Sequence, residues 1–372
     1  MKPPVTTGLG DWGRPMFSRA LQTIFVVLFT ASAWTMAQAE TVLYGNINIS
    51  LDTFDIEHAD NDRRFVDGHP AVGDDTRLNS NTSSIGIKGS EDLGNGLKVI
   101  YQAEFQFDPT EGTGFSGRDQ WVGMAGGWGK MRVGTISTSY KSHGAMIDPI
   151  YRTSLQNRNF GVQSNLHKGK GDEGQGRATN TVRYDSPSFF GGLGFIGTFT
   201  RQTDNGKDNK TDNPFSVGAH YKFGSSALIF ADYITNDQDG DNDAWKVGGK
   251  WLIGNFGIYG QFEKDNGLIS SEKDNEEKND LEGADVWMLG ASYNLGNFLF
   301  YGSYAQGSDN SDGDGEYRTW QVVTDYRFSK RTDVYGGYSN VDCDNPGRPY
   351  CTYQTEKAGE TKFWSIGMRH KF

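Results

Sequence analysis

Alternation with a period of two governs this chain. In residues 97–107, LKVIYQAEFQF, every second side chain is apolar and those between are mostly Lys, Gln and Glu. That is the mark of a strand with one apolar and one polar face. Such runs recur at about residues 41–52, 80–91, 96–107, 118–126, 129–135, 178–185, 191–203, 214–223, 226–235, 244–253, 255–265, 284–295, 297–306, 316–328, 331–342 and 360–372, sixteen in all. Seven connections are short: DLGNG, GGWG, SPSFFGG, FGSS, IGN, LGN and SK. Eight are long and polar, at about 53–79, 108–117, 136–177, 204–213, 236–243, 266–283, 307–315 and 343–359. The two kinds alternate strictly, beginning and ending with a long one, so both ends of the sheet lie on the short-turn side. An up-and-down antiparallel sheet this large must close on itself or leave two exposed edges.

What fills the middle decides which face is outside. A sixteen-strand barrel encloses a space far too wide for side chains to fill, and an apolar content of 35% is low for a thick core. The apolar faces therefore point outward. Phe215, Val217, Ala219, Tyr221 and Phe223 form one such row, Trp245, Val247, Gly249, Trp251 and Ile253 another. Trp287, Leu289, Ala291, Tyr293 and Leu295, and Trp320, Val322, Thr324, Tyr326 and Phe328, repeat the pattern. Aromatic residues at the ends and small or aliphatic ones in the middle suit two interfacial girdles around a lipid-facing band. Charges such as Lys98 and Glu104 fall on the alternate face, where a water-filled lumen solvates them. The predicted fold is all-β, a 16-stranded antiparallel transmembrane β-barrel.

Residues 1–39 read as a signal peptide. Arg14 and Arg19 supply a basic lead, residues 21–34 an apolar stretch too short to span a bilayer, and Ala37-Gln38-Ala39 the small-x-small form of a cleavage site. Met16 is a second candidate start. Cleavage leaves residues 40–372 as the barrel domain and, by removing Lys2, Arg14, Arg19 and Asp11, takes the formal net charge from −11 to −13. So acidic a chain is a poor partner for nucleic acid. In an exported protein Cys343 and Cys351, flanking DNPGRPY, are expected to close one surface loop as a disulfide.

Several segments carry a resemblance. LYGNINISLD, SIGIKGSEDLGNGLKVIYQAEFQF, WVGMAGGWGKMRVG, NTVRYDSPSFFGGLGF and the terminal IGMRHKF resemble the general diffusion porins of Gram-negative outer membranes, in the neisserial and betaproteobacterial-like branch, over about residues 41–372. The resemblance implies that three barrels associate as a homotrimer and that the third long loop folds into the lumen and narrows it. It also implies that Phe372, with Met368, Ile366 and Trp364 on the same strand face, serves as the C-terminal signal read by the barrel-assembly machinery.

The third connection, residues 136–177, is the longest, and loops of such length are usually functional. Between residues 137 and 176 it carries Lys141, Arg152, Arg158, Lys168 and Lys170 against Asp148, Asp172 and Glu173, whereas the long loops at 53–79 and 266–283 are acidic. In the resembled family acidic loop residues face a ladder of basic residues on the wall. Here the wall offers Lys88, Arg118, Arg132 and Arg183, the loop adds Tyr140, Lys141, Asp148, Arg152 and Arg158, Ser84 stands where relatives often have arginine, and the acidic tip is reduced to MIDPIY. These residues are the expected pore lining, and their balance predicts a mild anion preference. The alternative is that Lys168, Lys170 and Arg177 lie on a solvated surface outside the constriction, leaving selectivity near neutral.

The expected function is passive diffusion of small hydrophilic solutes and ions, without a cofactor; a solute-specific channel is the alternative, though Tyr140, Tyr151 and Phe160 are few for an aromatic slide. The acidic stretches DQDGDND and DNSDGDGE could hold divalent cations or bridge to lipopolysaccharide, yet neither has EF-hand spacing, and turn-forming composition accounts for both. His58, His69, His143, His167, His220 and His370 are accompanied by no G-x-S-x-G, H-E-x-x-H or Cys/His spacing, which speaks against a rim-located hydrolase.

Overall fold

Strands of about ten residues with alternating faces can satisfy their backbone only by pairing with neighbours, and a lipid environment forbids an unpaired edge. The computed structural model meets both demands; it describes residues 39–58, 65–66, 69–70, 75–157, 170–171, 176–200, 213–235, 243–266, 284–309, 316–343 and 358–372. Sixteen antiparallel strands follow one another around a closed barrel. They are β1 (Glu40–His58), β2 (Asp75–Ser80 continuing as Ser84–Gly94), β3 (Leu97–Asp108), β4 (Thr113–Gly126), β5 (Gly129–Ser137), β6 (Arg177–Asp185), β7 (Leu193–Thr200) and β8 (Phe215–Phe223). The second half comprises β9 (Ala227–Thr235), β10 (Asp243–Ile253), β11 (Phe256–Asn266), β12 (Ala284–Leu295), β13 (Phe298–Asp309), β14 (Tyr317–Arg327), β15 (Thr332–Cys343) and β16 (Ala358–Lys371). A two-residue segment, Lys170–Gly171, adds a parallel contact to β6.

Each strand pairs with its sequence neighbours, and β1 closes the circle against β16, from Asn46 opposite Lys371 to Glu57 opposite Glu360. At the seam Gly45 and Phe372 exchange both backbone hydrogen bonds at 3.1 Å. Only a glycine fits there: a Cβ at position 45 would stand 2.5 Å from the Phe372 ring.

The faces fall as the alternation demands. Val217, Val247, Leu289, Val322 and Ile366 are exposed on the outside, whereas their neighbours Ser216, Lys246, Met288, Gln321 and Ser365 are buried inside. The expected long connection at 108–117 is instead a tight turn of residues 109–112. Asp108 Oδ1 accepts from the amides of Thr110 (2.8 Å) and Glu111 (3.3 Å), and Gly112 takes φ +63°, so β4 begins five residues earlier than its periodicity suggests. Two register shifts between β3 and β4 hide that start, because they break the period of two. The first and second strands likewise run beyond their predicted limits, to His58 and back to Asp75, since each finds a partner there.

The third connection leaves β5 and enters a nine-residue helix, α1 (Ser139–Ile147). Thr138 is its N-cap: the Thr138 hydroxyl accepts from the Lys141 amide at 3.2 Å, satisfying one of the free first-turn donors. From there the chain crosses the interior. Lys246 on β10 donates to the Tyr140 carbonyl (2.5 Å) and Lys250 to that of Met146 (2.7 Å). Asn157 Oδ1 accepts from Tyr301 on β13 (3.1 Å) and Gln321 on β14 (2.5 Å). Ser154 bonds Ser365 on β16 at 2.5 Å. Ile147, Ile150 and Leu155 pack on the inner faces of Phe230, Tyr259, Met288, Tyr301 and Val323, a small apolar core inside the barrel. Burying each such aliphatic side chain contributes about 1.5–3 kcal/mol, enough to hold the connection against one side of the wall.

Candidate functional site: a charged passage beside the third connection

Because the connection occupies the β8–β16 side, the open space lies toward β1–β6. Gln102, Asp119, Trp121, Arg132, Lys141 and Arg183 are among the residues around a cavity of about 300 Å³ there. Three carboxylates organise it, each set among cations. Glu104 on β3 pairs with Arg118 of β4 and, at 3.4 Å, with Arg152 of the third connection. Asp119 pairs with Arg177 of β6 at 3.1 Å, with Lys141 and Arg118 close enough to interact. Asp185 pairs with Arg132 of β5 and with Arg183 at 2.7 Å. These three groups together hold six cations, Arg118, Arg132, Lys141, Arg152, Arg177 and Arg183, and three carboxylates, of which Arg132, Lys141, Arg183 and Asp119 line the cavity itself.

Local geometry aims these groups. Arg152 has φ +66°, a left-handed conformation that non-glycine residues seldom adopt. Its amide donates to Gln156 Oε1 at 3.0 Å, its carbonyl accepts from Asn48, and its guanidinium reaches Asn46 Oδ1 at 3.1 Å. These contacts, from its own turn and from β1, offset the strain and direct the guanidinium at Glu104. Arg183 donates to the Ser137 carbonyl (2.5 Å) and to Ser142 Oγ (2.7 Å), tying the entry of α1 to β6. Arg132 lies over the Trp121 ring at 4.9 Å, an aromatic face that stiffens the guanidinium.

The expected lining residues divide by position. Arg118, Arg132, Arg183, Lys141 and Arg152 meet around the passage. Lys88 sits over the Tyr44 ring at 4.8 Å, and Tyr44 donates to Glu104 at 2.9 Å, so Lys88 is one contact removed, toward the short-turn end. Contrary to expectation, Tyr140 and Asp148 do not face open space. Tyr140 is fully buried with the Lys246 ammonium 4.0 Å from its ring centroid. Asp148 accepts from the amides of Ile150 (3.1 Å) and Asn157 (3.0 Å) and shapes the turn from within. Arg158, Lys168, Cys351, the side chains of Lys170 and Cys343, and nearly all of both acidic loop stretches lie outside the described residues, as does the leader up to residue 38. Arg177, a candidate for the solvated surface, is instead buried against Asp119 of the cavity lining. Glu104 was visible as an inward charge; Asp119 and Asp185 were not singled out, since nothing local marks a carboxylate whose partners come from other strands.

Comparison with known proteins agrees with this architecture. Residues 23–346 match the family model described as Gram-negative porin. The chain is 29% identical to the major outer membrane protein P.IB of Neisseria meningitidis serogroup A, over 93% of its own length and 98% of the relative's. Among solved structures, an anion-selective porin from Comamonas acidovorans superimposes with a TM-score of 0.66 at 20% identity, covering 90% of this chain and all of that one. OmpF of Salmonella typhi, in complex with daunomycin, does so with a TM-score of 0.64 at 17% identity, covering 89% and 97%.

Proposed function

Since the chain belongs to the Gram-negative porin family and forms an outer-membrane diffusion channel, we propose that small hydrophilic solutes and ions cross each barrel through the passage beside the third connection, with a mild preference for anions. The excess of cations over carboxylates around that passage carries the reading. In a narrow, partly dehydrated opening such an excess raises the local concentration of anions and repels cations. That one of the structural neighbours is described as anion-selective is in keeping with it. Reversal potential across a planar bilayer in a salt gradient is the test, and clear cation selectivity would overturn the proposal.

The same reading extends to biogenesis. Residues 1–39 act as a cleaved signal peptide, Phe372 and its strand face are presented to the barrel-assembly machinery, and three barrels associate in a membrane containing lipopolysaccharide. A neighbour described as a trimer, OmpT of Vibrio cholerae, supports the assembly state. N-terminal sequencing of the exported protein checks the first point, with Glu40 as the expected first residue, and native mass measurement in detergent checks the last.

A further inference from the structure

Trp121 of β4 and Arg132 of β5 are diagonal neighbours on the barrel's inner face, and each stands opposite a glycine. In the β4–β5 register Trp121 faces Gly134 and Arg132 faces Gly123. A methyl on Gly123 would stand 2.8 Å from Arg132 Cγ, and one on Gly134 2.9 Å from Trp121 Cα. With both positions bare, the guanidinium lies across the indole, 4.9 Å from its centroid. Asp185 takes one terminal nitrogen of Arg132, while Nε has no acceptor among the described residues. The plane of the guanidinium is thus set largely by the ring beneath it. Both side chains line the cavity of about 300 Å³, and so do Lys141, Arg183 and Tyr151. Asp119 lines it too, its charge offset by Arg177 at 3.1 Å.

Attraction of anions in general needs no such stack, because a lysine on a bare wall supplies the same charge. A guanidinium backed by an indole differs from a point charge in two ways. It is planar and weakly hydrated, so its uncovered face accepts a second flat π system at little desolvation cost. Its rotamer is already fixed, so that stacking costs little further side-chain entropy. An aromatic ring on that face gains cation–π attraction, which a saturated ring of equal size does not. A carboxylate on the ring is drawn to Lys141 and Arg183 of the same lining, and a cavity of this volume, at the small end of small-molecule sites, suits a single substituted ring.

We propose that the Arg132–Trp121 stack is a subsite for small aromatic carboxylates, which lay the ring on the free face of the guanidinium and direct the carboxylate at Lys141 and Arg183. The inference rests on the reading that solutes cross beside the third connection. It narrows that reading, since among anions of equal charge and size the aromatic ones are retained on the wall of β4 and β5. Trp121 acts here through Arg132 and is a positioning residue.

Single-channel chloride current provides the test, recorded at about pH 7, where carboxylic acids of pKa about 4 are ionised, with benzoate or cyclohexanecarboxylate added on both sides. The two share a charge, a carboxylate and a six-membered ring, and only benzoate has a π face. Benzoate should halve the current at a concentration about two- to fivefold lower than its saturated counterpart. Trp121→Leu and Arg132→Gln should each bring the two solutes together, and Trp121→Phe should keep benzoate ahead. Comparing the two solutes within one variant cancels any general change in anion entry. Equal potency in the wild type, no reduction by either solute, a benzoate advantage that survives Trp121→Leu or Arg132→Gln, or its loss in Trp121→Phe overturns the subsite. Reversal potential of the wild type in potassium chloride alone reports the charge of the passage independently, so failure of the anion-preferring path and failure of the subsite are told apart.

Discussion

Arg152, in a left-handed turn of the third connection, places its guanidinium 3.4 Å from Glu104 on β3, and the same carboxylate also holds Arg118. One acidic group thus offsets two basic ones. Glu104→Gln should strengthen anion preference, by up to about fivefold in permeability ratio if a unit charge about 4 Å from the ion path in water is worth about 1 kcal/mol. Arg152→Ala should weaken it. Reversal potentials of the two variants must move in opposite directions; a common direction would show that these charges do not face the path.

Salt should erase the preference. The Debye length falls from about 10 Å at 0.1 M to about 3 Å at 1 M, so the field of Arg118, Arg132 and Arg183 no longer reaches across the opening. A permeability ratio measured at several mean concentrations with a fixed gradient is expected to approach that of free solution. A ratio independent of salt would point instead to a tight binding step.

Leu155 is fully buried, and a Cβ on Gly337 of β15 would stand 2.8 Å from its Cδ1. Leu155→Ala should remove about 2–5 kcal/mol from the docking of the third connection. That variant is expected to keep the barrel yet show faster cleavage within the third connection under limited proteolysis, together with noisier open-channel current.

Outward and inward positions should respond oppositely to charge. Leu289, midway along β12 between the outward Trp287 and Tyr293, is 59% exposed on the outer face, and a lysine there should cost about 2–4 kcal/mol near the bilayer midplane. Lysine at Ser303, on the inner face of β13, should leave folding intact and alter conductance. Folding yield into lipid vesicles, read by heat-modifiable electrophoretic mobility, separates the two.

The barrel was legible because its determinants are local. Trp245, Val247 and Trp251 declare an outer face by spacing alone, and turns such as LGN declare themselves by composition. The bulges of β3 and β4 defeated the period, and with it the turn at 109–112. The site was legible only by halves. Arg118, Arg132 and Arg183 could be read as inward cations, but Glu104 and Arg152 are separated by 48 positions and His143 and Asp232 by 89, so their pairing depends on where the third connection docks. The SYKSHGAMI segment has no clear apolar stripe, because its wall-facing side chains meet Asp232 and Lys246. Tyr140 looked like a lining aromatic for the same reason: the lysine beneath it lies a hundred residues away in the chain.

The paired amides of Gly45 and Phe372 bear on how the cylinder gets into its membrane. A version lacking one stave would carry two rims of unsatisfied peptide groups into hydrocarbon, at several kcal/mol each. Half-built species are therefore barred from the oily layer, and insertion and circularisation have to proceed as one cooperative event.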